Sequence, residues 1–183
     1  MRIIGIDPGL RHTGWGIVEF KNNKLSYISD GSISPSTLIP DGERLYFIKS
    51  QLSEIISKYI PNKSAIEQIF VGLGAGSSLK LGMARGVSMS VLAETGLPIT
   101  EIPPKLVKKT ITGYGSASKQ QIKSMIEKLL HITPENEDSA DALAIAISAH
   151  HIKINKITSN LHGTKNGLEL AIAKALLKEK NKS

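Results

Sequence analysis

A mixed α/β layer fold, with helices on both faces of a five-stranded sheet, is what this sequence predicts, and three observations carry the prediction. Three strand-like runs come first, helical and strand-like segments then alternate, and a segment after residue 138 is so apolar that, as a helix, it must bury itself against a sheet.

Residues 2–7, Arg-Ile-Ile-Gly-Ile-Asp, read as a buried strand that stops at Pro8-Gly9. Strand composition resumes over 13–20 and, after the turn signal Asn22-Asn23, over 25–33, which gives three antiparallel strands. From Asp41, Leu45, Ile48, Leu52, Ile55, Ile56 and Tyr59 recur at the three- and four-residue spacing of an amphipathic helix that ends at Pro61. Residues 65–70 read as a short strand, a Gly/Ser loop leads to a helix over 77–94, and 97–102 form a fifth strand. Helices are expected over 104–112 and 118–131, separated by Gly113-Tyr-Gly115, and Pro134 introduces a last one over 138–150. One domain is expected over 1–153, followed by a basic tail over 154–183 that is part helical and loosely attached.

Composition narrows the function classes. No apolar run approaches the roughly 20 residues that span a bilayer, and the N-terminus lacks the apolar core of a secretory signal, so a cytoplasmic protein without a membrane partner is expected. Cysteine is absent, which excludes disulfides, thiolate metal sites and a cysteine nucleophile; any metal must take oxygen or imidazole ligands. Lys and Arg number 23 against 16 Asp and Glu, a formal charge of +7, which favours a polyanion such as nucleic acid, although many small proteins are basic without binding one.

Four acids stand out in three places. Asp7 closes the first strand, where open α/β sheets place ligands, or else it bonds the Pro8-Gly9 turn. Glu67 interrupts an apolar strand and needs either a cation or a half-exposed edge. Asp138 and Asp141 share one face of a helix's first turn, where capping alone is a sufficient explanation, yet the apolar run 142–149 carries that turn inward. If the three segments converge, four carboxylates supply hard ligands for two divalent cations about 4 Å apart, one activating water and one stabilising the leaving 3′ oxygen of a phosphodiester. Lys105, Lys108, Lys109, Lys119 and Lys123 form a basic stretch that either tracks phosphates or is a solvated helix face. Phe70, beside a glycine-rich loop, either stacks on an unpaired base or belongs to the core.

These residues and their surroundings resemble the RuvC family of Holliday-junction resolvases, a branch of the RNase H-like nucleases. The match takes in Ile4-Gly-Ile-Asp-Pro-Gly-Leu-Arg-His-Thr-Gly-Trp-Gly16, Ala65-Ile-Glu-Gln-Ile-Phe70, Leu79-Lys-Leu-Gly-Met-Ala-Arg-Gly86, Val107-Lys-Lys-Thr-Ile-Thr-Gly-Tyr-Gly-Ser-Ala-Ser-Lys119 and Asp138-Ser-Ala-Asp-Ala-Leu-Ala144, in the family's order, over about residues 1 to 150. The resemblance implies an RNase H-like sheet with Asp7, Glu67, Asp138 and Asp141 as catalytic acids and ligands of two magnesium ions, manganese being a substitute. It also implies Lys108 and Lys119 near the DNA backbone and Phe70 against junction bases. A homodimer follows from the two-fold symmetry of a four-way junction cut by paired nicks, with residues 79–93 as the candidate dimer contact. Action in recombination and repair beside RuvA and RuvB is implied as well. Residues 71–76 depart from the pattern, being richer in glycine and poorer in polar side chains than the family has there. The alternatives are an RNase H-like nuclease on another nucleic acid, a junction-binding protein that cuts nothing, and an actin-like ATPase, for which the chain is short.

Overall fold

A computed structural model describes residues 1–69 and 75–163 of the chain. Phe70 and the glycine-rich residues 71–74 therefore lie outside the described residues, as does the expected tail from 164 onward. The first three strands are β1 (Arg2–Asp7), β2 (Thr13–Lys21) and β3 (Lys24–Ile33). Between β2 and β3, Asn22 and Asn23 take φ of 51° and 60°. Asn tolerates that left-handed region better than most side chains, and two such residues match the right-handed twist of a tight hairpin. Next come α1 (Asp41–Tyr59), β4 (Lys63–Glu67), α2 (Ala75–Glu94), β5 (Ile99–Ile102), α3 (Pro104–Thr112), α4 (Lys119–Leu130) and α5 (Glu137–Gly163).

The sheet runs β3-β2-β1-β4-β5, with β1 antiparallel to β2 and parallel to β4, which in turn is parallel to β5. It is the expected mixed sheet of five strands. Alternation along β1 divides its side chains between two layers. Ile4 and Ile6, with their partners Ile17 and Trp15 on β2, pack into a core with Ile48, Leu52 and Ile56 of α1 and Ala84, Val91 and Leu92 of α2. Gly5 faces the other way, as do Gly14 and Gly16 on β2, and α5 lies over them: a Cβ on Gly5 would stand 2.1 Å from the Ala142 carbonyl oxygen, and one on Gly16 would stand 2.7 Å from the Leu143 nitrogen. Three glycines thus form a seam that lets a helix of small residues approach the sheet at backbone distance. Ala140, Ala142, Leu143, Ala144, Ile145, Ala146 and Ile147 are all buried there.

Several bounds differ from the sequence expectation. The strand expected over 65–70 occupies Lys63–Glu67, because its pairing with β5 ends at Glu67 opposite Ile102. Glu67 thus closes an inner strand rather than interrupting one. The helix expected from residue 77 begins at Ala75, and the one expected over 138–150 extends over Glu137–Gly163. The chain divides into units of residues 1–149 and 150–183. No helix among the described residues is long and apolar enough to cross a membrane.

Ser118 caps α4: its side chain accepts from the Gln121 backbone N–H at 3.2 Å while the Gln121 side chain accepts from the Ser118 N–H at 2.8 Å. Ser118→Ala removes one arm of this reciprocal cap and is expected to cost about 1 kcal/mol, read as a lowered urea midpoint with an unchanged slope.

Candidate active site

The parallel pairing of β1 and β4 sets Gly5 beside Ala65 and Ile6 beside Ile66. One residue further on, both strands end in an acid, Asp7 and Glu67. Asp7 shares the α5-facing side of β1 with Gly5, and its partner across β2 is Gly14. A Cβ on Gly14 would lie 2.1 Å from the carbonyl oxygen of Asp138. The glycine seam therefore brings the first turn of α5 directly over the end of β1, and with it Asp138 and Asp141.

The bland explanations of these acids are each supplied by another residue. Thr13 staples the Pro8-Gly9 turn, its hydroxyl donating to the Gly9 carbonyl at 2.7 Å and accepting from the Gly9 N–H at 3.4 Å. Asn136 caps α5, its side chain accepting from the Ser139 N–H at 2.9 Å while the Ser139 hydroxyl accepts from the Asn136 N–H at 3.1 Å. Glu67 sits between β1 and β5 and not on an edge strand. Neither turn nor cap nor edge explains the four carboxylates.

Their electrostatics tie them together. Burial, then the charges of Glu67, Asp141 and Asp138, push the Asp7 carboxyl up to about 8, and Lys119 offsets only part of this. Glu67 is raised by burial and by Asp141, against the pull of Lys108 and Lys119. Asp141 is likewise raised by burial, although Lys119 pulls it down. Lys119 reaches Asp141 Oδ2 at 3.4 Å and is itself held above the usual amine range, chiefly by that carboxylate. It stands in the first turn of α4, where the helix dipole disfavours a cation. The acids supply what the dipole withholds. Lys123 lines a 230 Å³ cavity with Lys119, Glu137 and Asp141.

The structure thus brings Asp7, Glu67, Asp138, Asp141, Lys108, Lys119 and Lys123 to one region. Lys105 and Lys109 are exposed on α3 away from its buried Val107 and Ile111. Sequence patterning passed over Arg85, whose Nε donates to the Glu67 carbonyl at 3.2 Å and whose guanidinium also pairs with Glu101. It holds the end of β4, and its place on α2 opposite a strand terminus leaves no trace in hydrophobic spacing.

By donor type and by accumulated charge the four acids fit a hard divalent cation. Among the described residues no three carboxylates or imidazoles are gathered into a finished ligand set, and one of the four carboxylates, Asp141, is already engaged with Lys119.

A family model described as crossover junction endodeoxyribonuclease RuvC matches residues 3–150. Proteins of that name from Azorhizobium caulinodans and Rhodopseudomonas palustris strain BisA53 are each 48% identical over 153 residues, covering 82% of this chain and 90% and 88% of theirs. The structure of T. thermophilus RuvC in complex with a Holliday junction substrate superposes with a TM-score of 0.77 at 29% identity, covering 85% of this chain and 96% of that one. The yeast mitochondrial resolvase Ydc2, at 15% identity and a TM-score of 0.56 over 85% of each chain, shares the fold. With the family's model spanning nearly the whole described sheet-and-helix unit, and relatives close to half identical along most of their length, the chain belongs to the RuvC crossover junction endodeoxyribonucleases.

Proposed function

We propose that this chain resolves four-way DNA junctions by paired symmetric nicks, each a phosphodiester hydrolysis leaving a 5′ phosphate, with Asp7, Glu67, Asp138 and Asp141 as the catalytic and metal-binding acids. The observation that supports it is the convergence of acids from β1, β4 and α5, where burial, and then the charges of Glu67, Asp141 and Asp138, raise Asp7 to about 8. Nucleases of this family depend on divalent metal. The ions proposed here are two magnesium per site, with manganese able to substitute. Bound between the acids, such ions would activate water and stabilise the leaving 3′ oxygen.

The protein's own groups have definable parts in this. The acids hold hard oxygen donors at the ends of rigid strands and a helix, so that little reorganisation accompanies the reaction. Lys119, kept protonated by its carboxylate neighbours, and Lys108, beside Glu67, offer positive charge to the strand at the cut. Lys123 extends that charge along α4, Lys105 and Lys109 extend it along α3, and Phe70 is the proposed base contact. A homodimer is proposed through the exposed side of α2, which carries Leu79, Gly86 and Ala93, with RuvA and RuvB as branch-migration partners. The proposed domain is residues 1–153, the rest being a basic tail, and a cytoplasmic place follows from a chromosomal substrate.

Incubation with a synthetic four-way junction, a linear duplex and an RNA–DNA hybrid, with and without magnesium, tests this. Symmetric nicks confined to the junction and dependent on the metal are expected; cleavage of the hybrid alone, or binding of the junction without scission, overturns it. In the same assay Lys119→Met is expected to slow junction cleavage about tenfold to a hundredfold, the effect of about 1.5–3 kcal/mol from a charge-assisted contact. A rate within twofold of the parent protein would remove Lys119 from the site.

A further inference from the structure

The acids already have cations beside them, Lys119 at Asp141 and Lys108 acting on Glu67. A second set of cations shares a cavity with Asp138. The loop joining β1 to β2 carries Arg11 and His12, and it borders a cavity of about 460 Å³ that is also lined by Arg44, Lys80 and Asp138. Asp138 lies over Gly14, the β2 partner of Asp7, so this cavity borders the acid cluster.

Arg44 is its buried cation, 7% exposed. Its Nη1 donates to Asp41 Oδ1 at 3.0 Å and its Nη2 donates to the Leu10 carbonyl at 2.9 Å, which fixes the loop carrying Arg11. Its Nε is buried with no hydrogen-bond partner among the described residues. Lys80 Nζ stands 3.5 Å from Asp41 Oδ2, so one carboxylate holds both cations. Arg11 and Lys80 are exposed. Three cations and one carboxylate, Asp138 of the acid cluster, thus line the cavity, and Asp41 pairs with two of those cations. A solvated surface needs no buried guanidinium beneath it, and a guanidinium left with an unmet donor is costly.

We propose that this cavity is a cradle for a backbone phosphodiester of the DNA strand being cut, the one next to the scissile phosphate on the Asp138 side, gripped by Arg11 and Lys80 and braced by Arg44 and Asp41. It rests on the junction-nuclease reading. A strand whose scissile phosphate lies on the acids carries phosphates to either side. Acids without cations beside Asp138 would repel the phosphate next to it, and a guanidinium and an ammonium in this cavity offset that repulsion.

The test is the salt dependence of binding to a labelled four-way junction, with calcium in place of magnesium to hold cleavage in check. Arg11→Ala and Lys80→Ala are each expected to weaken binding several-fold and to make the slope of log K against log salt shallower by about 0.9 for each phosphate no longer neutralised. Arg11→Lys is expected to restore the slope. Lys24→Ala, at the start of β3 beyond the opposite end of β2, is expected to leave it as in the parent protein. If both alanine variants keep the parent slope while the parent protein still cuts the junction, the cradle is wrong and the nuclease reading stands. If the parent protein neither binds nor cuts the junction, both fall.

Discussion

Asp7→Asn is expected to reduce junction cleavage by about a thousandfold or more while junction binding persists. Asp7 is the acid that the other three act on together, and Asn keeps its shape while removing the charge. Loss of several kcal/mol of charge stabilisation at the reacting phosphate, at about 1.4 kcal/mol per tenfold, sets the scale. The same substitution has the opposite sign for stability in chelator. A carboxyl held at about 8 in the folded chain against an ordinary 3.8 keeps a proton that the unfolded chain gives up. Stability from this group is fully present below about pH 4, drains away as pH rises, and is gone above about pH 8. Burial and neighbouring charge raise Glu67 and Asp141 as well, which adds to the same slope. In EDTA the thermal midpoint of the parent protein is therefore expected to fall between pH 4 and pH 8, and that of Asp7→Asn to fall less, so that the variant is the more stable at pH 8. Magnesium is expected to reverse the order, because it stabilises the form that binds it. A flat midpoint across this range, or cleavage by the variant within tenfold of the parent rate, would detach Asp7 from the cluster.

Much of this arrangement is legible in the order of residues alone. The period of Leu45, Ile48, Leu52 and Ile56 marks α1 because helix burial follows a 3.6-residue repeat, and Asn22-Asn23 marks its hairpin because a tight turn needs left-handed residues. Asp138 and Asp141 are readable as an inward pair because the apolar run behind them leaves their helix no exposed alternative. What the sequence hides is register. Nothing in Ile-Gly-Ile-Asp or Thr-Gly-Trp-Gly states that Gly5, Gly14 and Gly16 lie opposite Ala142, Asp138 and Leu143, since that pairing is a long-range packing solution. Strand ends are hidden for a similar reason: Ile69 has strand composition, but β5 stops supplying partners at Ile102. The cations beside the acids come from loops and helices far apart in the chain, and charge spacing along the sequence could not separate Lys108 from the exposed Lys109.

The seam itself gives the sharpest expectation about geometry. In Gly14→Ala the new Cβ would stand 2.1 Å from the Asp138 carbonyl oxygen and 2.5 Å from its carbon. These are backbone atoms, so no side-chain rotation relieves the clash, and the first turn of α5 has to retreat by roughly 1 Å to reach an ordinary separation. A misplacement of that size costs about a hundredfold in rate. Overpacking costs about 1–3 kcal/mol, which the stiffer unfolded chain offsets by about 0.4–1 kcal/mol. The variant is thus expected to stay folded and lose activity out of proportion to stability. Gly5→Ala meets the Ala142 oxygen at 2.1 Å and the Ala146 nitrogen at 2.6 Å, deeper along the helix and across two turns, and is expected to lose more stability than Gly14→Ala. Gly42→Ala, whose Cβ meets nothing within 4 Å, is expected to gain a few tenths of a kcal/mol to about 1 kcal/mol from the unfolded chain alone. Chemical denaturation and cleavage rates measured on the three variants separate these effects. Equal losses in Gly14→Ala and Gly42→Ala would mean that α5 does not rest on the sheet at backbone distance, and the acids of β1 and α5 would then have no fixed relation to one another.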